Sequence, residues 1–171
     1  MKLWLLDADI VIDFLALDIF DKLVEKHKIY LASTVINEIK YYIRAKKKIE
    51  INFREKYVDS GLVAEASATT EEVRETYTLI PKEYHQTIHA GEVESITILV
   101  KKEDLLFCGC DAASIRILPF VDLSDRALSA EKLLERCGLS NPNKLLERHT
   151  EKYFEDNLSI GKQNKIYHFQ S

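Results

Sequence analysis

Apolar positions along the chain fall into two alternating patterns. Short unbroken runs at about Lys2–Leu6 (KLWLL), Ile29–Ala32 (IYLA) and Leu105–Cys110 (LLFCGC) read as strands buried on both faces. Between them, apolar residues recur at helical spacing in Ile10–Leu17 and Phe20–Lys26. The same spacing continues through Val35, Ile36, Ile39 and Ile43, and through Val93, Ile96 and Val100. Ser33 and Thr34 suit a helix start, as does Thr69 or Thr70 before a helix through Glu71–Tyr77. Gly91 precedes the helix Glu92–Lys102, Pro119 stops a helix from Ala112 to Leu118, and Leu62–Ala66 fits either a short strand or a helical turn. Strands alternating with helices predict an α/β domain around a central parallel sheet. Asn141-Pro142 marks a boundary, which divides the chain into a core of 1–140 and a helical extension of 141–171. Lys144–Phe154 reads as amphipathic, with Leu145, Leu146, Tyr153 and Phe154 as its apolar stripe. That stripe predicts a partner-binding or self-association element that the core can fold without.

Composition narrows the class. At 171 residues with 46% hydrophobic and 30% charged positions, the chain fits one soluble globular domain with an appendage. No apolar run approaches the length needed to span a bilayer, and none resembles a signal peptide. The three cysteines, Cys108, Cys110 and Cys137, form no staple pattern and predict reduced thiols and a cytoplasmic setting. A net charge of −4 excludes a uniformly basic nucleic-acid binder but not a local basic patch. Such a patch lies in residues 40–57, where Lys40, Arg44, Lys46, Lys47, Lys48, Arg54 and Lys56 outnumber Glu50 and Glu55. Tyr41 and Tyr42 within it offer faces for unpaired bases.

The chemistry rests on acids. Asp7 ends the first strand, Glu38 follows the second by one helical turn, Glu92 and Glu94 open a helix, and Asp111 ends a later strand. Taken singly, each reads as a helix cap or a solvated residue. Taken in order, they share the carboxyl rim of a parallel sheet, where ligands bind. Carboxylates gathered there repel one another unless a cation intervenes, and an all-oxygen set suits Mg²⁺ or Mn²⁺. Glu92 and Glu94 cannot face the same way on one helix, so Glu92 is preferred as the ligand and Glu94 as a surface acid.

With LLDADIVIDFL, LASTVINEI and HAGEVESITILVKKEDLLFCGCDAASIRI in place, the chain resembles the PIN-domain nucleases over about residues 1–120. That family carries an acid ending strand 1 and a Ser/Thr followed by a helix Glu after strand 2. It also carries an acid opening a later helix, here in a Gly-Glu-x-Glu form, and an Asp after the next strand. The resemblance implies a three-layer fold and a metal-dependent endoribonuclease, with Asp7, Glu38, Glu92 (or Glu94) and Asp111 as catalytic and metal-binding acids. It implies an RNA substrate and leaves room for homodimerisation and an antitoxin-like protein partner. Lys40, Arg44, Lys46, Lys47 and Lys48 would then contact RNA. Asp9 matches a frequent polar neighbour. Ala112 and Ala113 stand where many relatives carry a further acid or hydroxyl, which bears on a second metal site.

Two other readings compete. LLDADIV also fits the opening of haloacid-dehalogenase-like phosphatases, with Asp7 as nucleophile and Asp9 as acid/base, although a later paired-acid motif is missing. A catalytically degenerate PIN-like module that binds RNA or protein is the third. His85 and His89 have the spacing of an HExxH zinc helix, but Gln86 stands where the general base belongs.

Overall fold

A computed structural model describes residues 3–139 and 145–170. Five parallel strands form the central sheet: β1 (Leu3–Leu6), β2 (Ile29–Ala32), β5 (Val63–Ala66), β6 (Leu105–Cys108) and β7 (Ala127–Leu128), in the order β5-β2-β1-β6-β7. A separate antiparallel hairpin joins β3 (Tyr41–Arg44) to β4 (Lys47–Glu50). The helices are α1 (Ala8–Ala16), α2 (Phe20–Lys26), α3 (Ser33–Glu38), α4 (Thr70–Leu79), α5 (Ala90–Lys101), α6 (Ala112–Ile117), α7 (Ala130–Arg136) and α8 (Glu151–Gln170). The predicted α/β class, with a parallel sheet flanked by helices, is the observed one.

Leu5, Leu6, Ile29, Leu31, Phe107 and Cys108 are almost wholly buried, as strands covered on both faces must be. The chain leaves central β1 on one side through β2 and β5, then crosses to β6 and β7 on the other. This reversal puts the switch point of the sheet between β1 and β6, where open α/β sheets leave a crevice outside the strand ends.

Several local expectations are corrected. The helix expected to run through Ile43 ends at Glu38, and residues 41–50 form the hairpin instead. Its turn holds Ala45 and Lys46 at φ of 50° and 63°, the left-handed geometry of a two-residue hairpin loop, without the usual Asn-Gly signal. Neither Ser33 nor Thr34 caps α3 with its side chain. Thr69 does cap α4, in a reciprocal bond pair with Glu72. Gly91 lies inside α5, whose cap is His89.

The carboxyl-terminal segment departs furthest from expectation. The Asn141-Pro142 boundary and the start of the stretch at Lys144 lie outside the described residues. Beyond them, Glu147–His149 form a 3-10 turn, and α8 begins after Thr150, whose hydroxyl accepts from the Tyr153 N–H at 3.2 Å. The amphipathic stretch is therefore broken, not one helix. α8 packs on α6, and a Cβ on Gly161 would fall on the Arg116 backbone, 2.8 Å from its Cα. Phe154, Leu158 and His149 are buried with the core. Burying the two apolar side chains alone contributes about 1.5–3 kcal/mol each, so α8 packs with the core and adds to its stability. Its far end leaves Ile166, Tyr167 and Phe169 exposed. Among the described residues, no helix is long and apolar enough to cross a membrane.

Candidate functional site

Asp7, Asp9, Glu38, His89, Glu92 and Asp111 line one open cleft of ≈ 460 Å³ outside the carboxyl ends of β1 and β6. Each acid arrives there for a local reason. Asp7 caps α1, accepting the Ala8 N–H at 2.8 Å through Oδ1. Asp111 caps α6, accepting the Ala113 and Ser114 N–H groups at 2.6 and 3.0 Å through Oδ2. Glu92 takes the His89 N–H at 2.9 Å through Oε2. Serving as a cap and lining the cleft are therefore compatible for these acids. The recorded bonds use one oxygen of each, and Asp7 Oδ2, Asp111 Oδ1 and Glu92 Oε1 are left to the cleft among the described residues.

Glu38 stands at the mouth, at the last residue of α3. Its carboxylate rests against α5 at Gly91, where a Cβ would sit 3.1 Å from Glu38 Oε1 and 3.2 Å from Val35 Cγ2. Glycine at 91 therefore lets α3 approach α5 closely enough to bring Glu38 to the other acids.

Burial and mutual repulsion govern the electrostatics. Asp7 is 4% exposed, and its pKa is pushed up to about 7, by burial first and then by Asp9, Asp111 and Glu38, against the opposing Ala8 N–H. Glu92 is pushed up to about 8, again by burial first, with Asp7, Asp111 and Asp9 adding to it and the His89 N–H opposing. Glu38 is raised by burial and by Asp9, against His89. Buried carboxylates that raise one another's pKa favour either a proton or a cation. The donors are all oxygen, which fits a hard divalent ion.

Glu94 does not join them. Its carboxylate accepts the Thr34 N–H at 2.8 Å and the Ala68 N–H at 3.2 Å. Glu94 thus caps α3 from α5 and ties down the loop after β5. The expectation of a surface acid is corrected as well, since Glu94 is 8% exposed. α5 is buried on nearly all sides, so residues facing opposite ways are both inside.

The basic run is largely engaged elsewhere. Arg44 donates to the Leu15 carbonyl at 2.5 Å and pairs with Asp18 at 3.2 Å, at the end of α1 away from Asp7. Arg54 grips Glu65 at 2.7 and 2.9 Å, and Lys56 pairs with Asp21 at 3.4 Å. Lys48 lies over the Tyr41 ring at 4.4 Å. Lys46 and Lys47 are exposed at the hairpin turn, and Lys40 is exposed beside α3. His85 donates its Nε2–H to the Ile80 carbonyl at 2.8 Å, and residues 85–89 form no helix, so the His85–His89 pair is not a zinc helix.

A second cluster went unread in the sequence. Asp13, Cys110 and His149 bring ligand atoms within 4.8 Å of one another. Arg148 donates to Asp13 Oδ2 through Nε and Nη2 at 3.1 and 2.5 Å, and to Asp9 Oδ2 through Nη1 at 3.1 Å. His149 Nδ1 accepts the Leu146 N–H at 3.2 Å, which assigns the ring proton to Nε2 for donation to Asp13 at 2.7 Å. A metal on Nε2 would turn an Nδ1–H against the Leu146 N–H, so this arrangement is a hydrogen-bonded clasp. The Cys110 thiol is pushed up strongly by burial, as expected of a core cysteine. The spacing of Asp9 and Asp13 on one helical face was the available local signal; their partner is 139 residues from Asp9.

No protein-family model, curated protein or solved structure matches the chain.

Proposed function

We propose that the chain is a metal-dependent endoribonuclease. One observation carries the reading: Asp7, Glu38, Glu92 and Asp111, far apart in sequence, line a single cleft at the switch point, where burial pushes Asp7 up to about 7 and Glu92 up to about 8. The resemblance to PIN-domain nucleases supplies the substrate class. A bound Mg²⁺ or Mn²⁺ would lower the pKa of a water molecule and offset charge building on the scissile phosphate. Asp7, Glu92 and Asp111 would hold such an ion, and their bonds to backbone N–H groups fix each carboxylate in one orientation. Glu38 at the mouth, with its raised pKa, suits acceptance of a proton from the attacking water at its carboxylate. No side-chain nucleophile is needed. Lys40 and the hairpin residues Lys46, Lys47 and Lys48 are proposed to hold more distant parts of the strand.

The phosphatase alternative needs Asp9 as an acid/base, yet one Asp9 oxygen is bonded to Arg148. Asp7→Asn preserves shape and removes charge. It should lower Mn²⁺-dependent RNA cleavage by at least about 100-fold while leaving the far-ultraviolet circular dichroism unchanged. Cleavage at the parental rate would remove Asp7 from the site, and covalent phosphate trapped on Asp7 would favour the phosphatase.

A further inference from the structure

Arg148 occupies an unusual place for an arginine with a purely structural task. Among the described residues, it is the cation recorded in an ion pair with an acid of the cleft, through Nη1 to Asp9. Its three bonds to Asp9 and Asp13 use three of the five N–H groups a guanidinium carries, one on each nitrogen. One N–H remains on each terminal nitrogen, and the side chain is 36% exposed. Asp13 fixes it from behind, and His149 fixes Asp13. The guanidinium is therefore held in one orientation at the cleft rim with donors to spare, which is the geometry that suits bidentate recognition of a phosphate.

Its surroundings point the same way. The cleft is lined by five carboxylates, Asp7, Asp9, Glu38, Glu92 and Asp111, so a phosphodiester strand entering it needs a fixed positive charge close by. The hairpin arginine cannot supply it. Arg44 is bonded at Leu15, eight residues past Asp7 on α1, or about 12 Å along the helix.

We propose that Arg148 binds a phosphate of the RNA strand next to the scissile one, so that the carboxyl-terminal segment completes the substrate site. The inference rests on the ribonuclease reading. The two N–H groups not used by Asp9 and Asp13 grip non-bridging oxygens, and the Asp13–His149 clasp prevents Arg148 from collapsing into the acidic cleft.

The test uses the full chain, its Arg148→Ala and Arg148→Lys variants, and a short single-stranded RNA. Mn²⁺ binding, KM, kcat and the salt dependence of RNA binding in Ca²⁺ are measured. Arg148→Ala should raise KM at least tenfold and reduce the slope of log affinity against log salt by about 0.7, the share of one phosphate contact. Its Mn²⁺ affinity should stay within about twofold, because the acids at the ion are untouched. Arg148→Lys keeps the charge and loses the fork, so the salt slope should survive while KM still rises. If Arg148→Ala does not fold, Arg148→Lys decides, and an unchanged KM overturns the inference. Unchanged KM and slope in Arg148→Ala overturn it equally. A parent chain that binds Mn²⁺ but no RNA overturns this inference and spares the metal site; one that binds no Mn²⁺ overturns the underlying reading too.

Discussion

Two acids of one short helix, Asp13 within α1 and Asp7 at its cap, have opposite electrostatic fates. Asp13 is partly buried in the Arg148–His149 clasp. Burial alone would raise its pKa, but hydrogen bonds from His149 and Arg148 outweigh burial and hold it below the ordinary carboxylate range. Asp7, one residue before α1, is buried among like charges and pushed up to about 7. The first acid has its cation, Arg148, built in. The second does not, and its charge is balanced only by a proton or by something that binds. Glu94 adds a third case, a buried acid satisfied by two backbone N–H groups. Burial of a carboxylate is therefore not the mark of a site; burial without a compensating partner is.

Removing the built-in compensation should be the most damaging change. Asp13→Ala leaves the buried His149 Nε2–H and the Nε and Nη2 groups of Arg148 without their acceptor, and should cost about 3 kcal/mol of stability by urea denaturation. A loss below about 0.5 kcal/mol would mean that the clasp is ornamental and that the contrast with the cleft is false.

The cleft should respond to pH in the opposite sense to an ordinary acid pair. The unfolded chain releases the protons of Asp7 and Glu92 near pH 4, whereas the folded chain keeps them to about 7 and about 8. Across that window the native state binds more protons than the unfolded state, so stability without metal falls as pH rises. The lowered acids Asp13, Asp21 and Glu65 are already ionised above pH 5 and add no slope there. Between pH 5 and pH 8 the loss should be read as a melting temperature in chelator that falls steadily as pH rises. Asp7→Asn should flatten the trend. A melting temperature that rises over this range would contradict the uncompensated cleft.

The smallest effect separates two glutamates two positions apart. Glu94→Gln places an amide donor against the N–H of Thr34 or Ala68 and should cost about 1–2 kcal/mol while leaving Mn²⁺ binding of the folded protein intact. Glu92→Gln should do the reverse, weakening Mn²⁺ binding without lowering metal-free stability at pH 8. Matching profiles for the two variants would erase the distinction drawn between them.

Much of this contrast was readable in the chain, though unevenly. The strands of the sheet centre announce themselves because burial on both faces produces unbroken apolar runs, and the acids following them mark the rim. The hairpin was hidden because Ile43 happens to continue the helical spacing of Val35, Ile36 and Ile39, and because its turn uses Ala45-Lys46 where Asn-Gly would have signalled it. β7, two residues long, carries no pattern of its own. The choice between Glu92 and Glu94 could not be made on local grounds, since Glu94 is claimed by amides 60 and 26 residues away. The packing of the tail on α6 was hidden for a similar reason. Phe154 looks like part of an exposed stripe until α6 is placed against α8, and Arg148 looks like surface charge until α1 brings Asp9 and Asp13 to it.

The central claim is that the cleft acids lack only a cation. Calorimetric titration of the full chain with Mn²⁺ at pH 7, run in two buffers of different ionisation enthalpy, tests it most directly. The account predicts binding with a dissociation constant below about 1 mM, accompanied by proton release that shrinks as pH rises past 8, and abolished by Asp7→Asn. Absence of binding, or binding that releases no protons and survives Asp7→Asn, would contradict it.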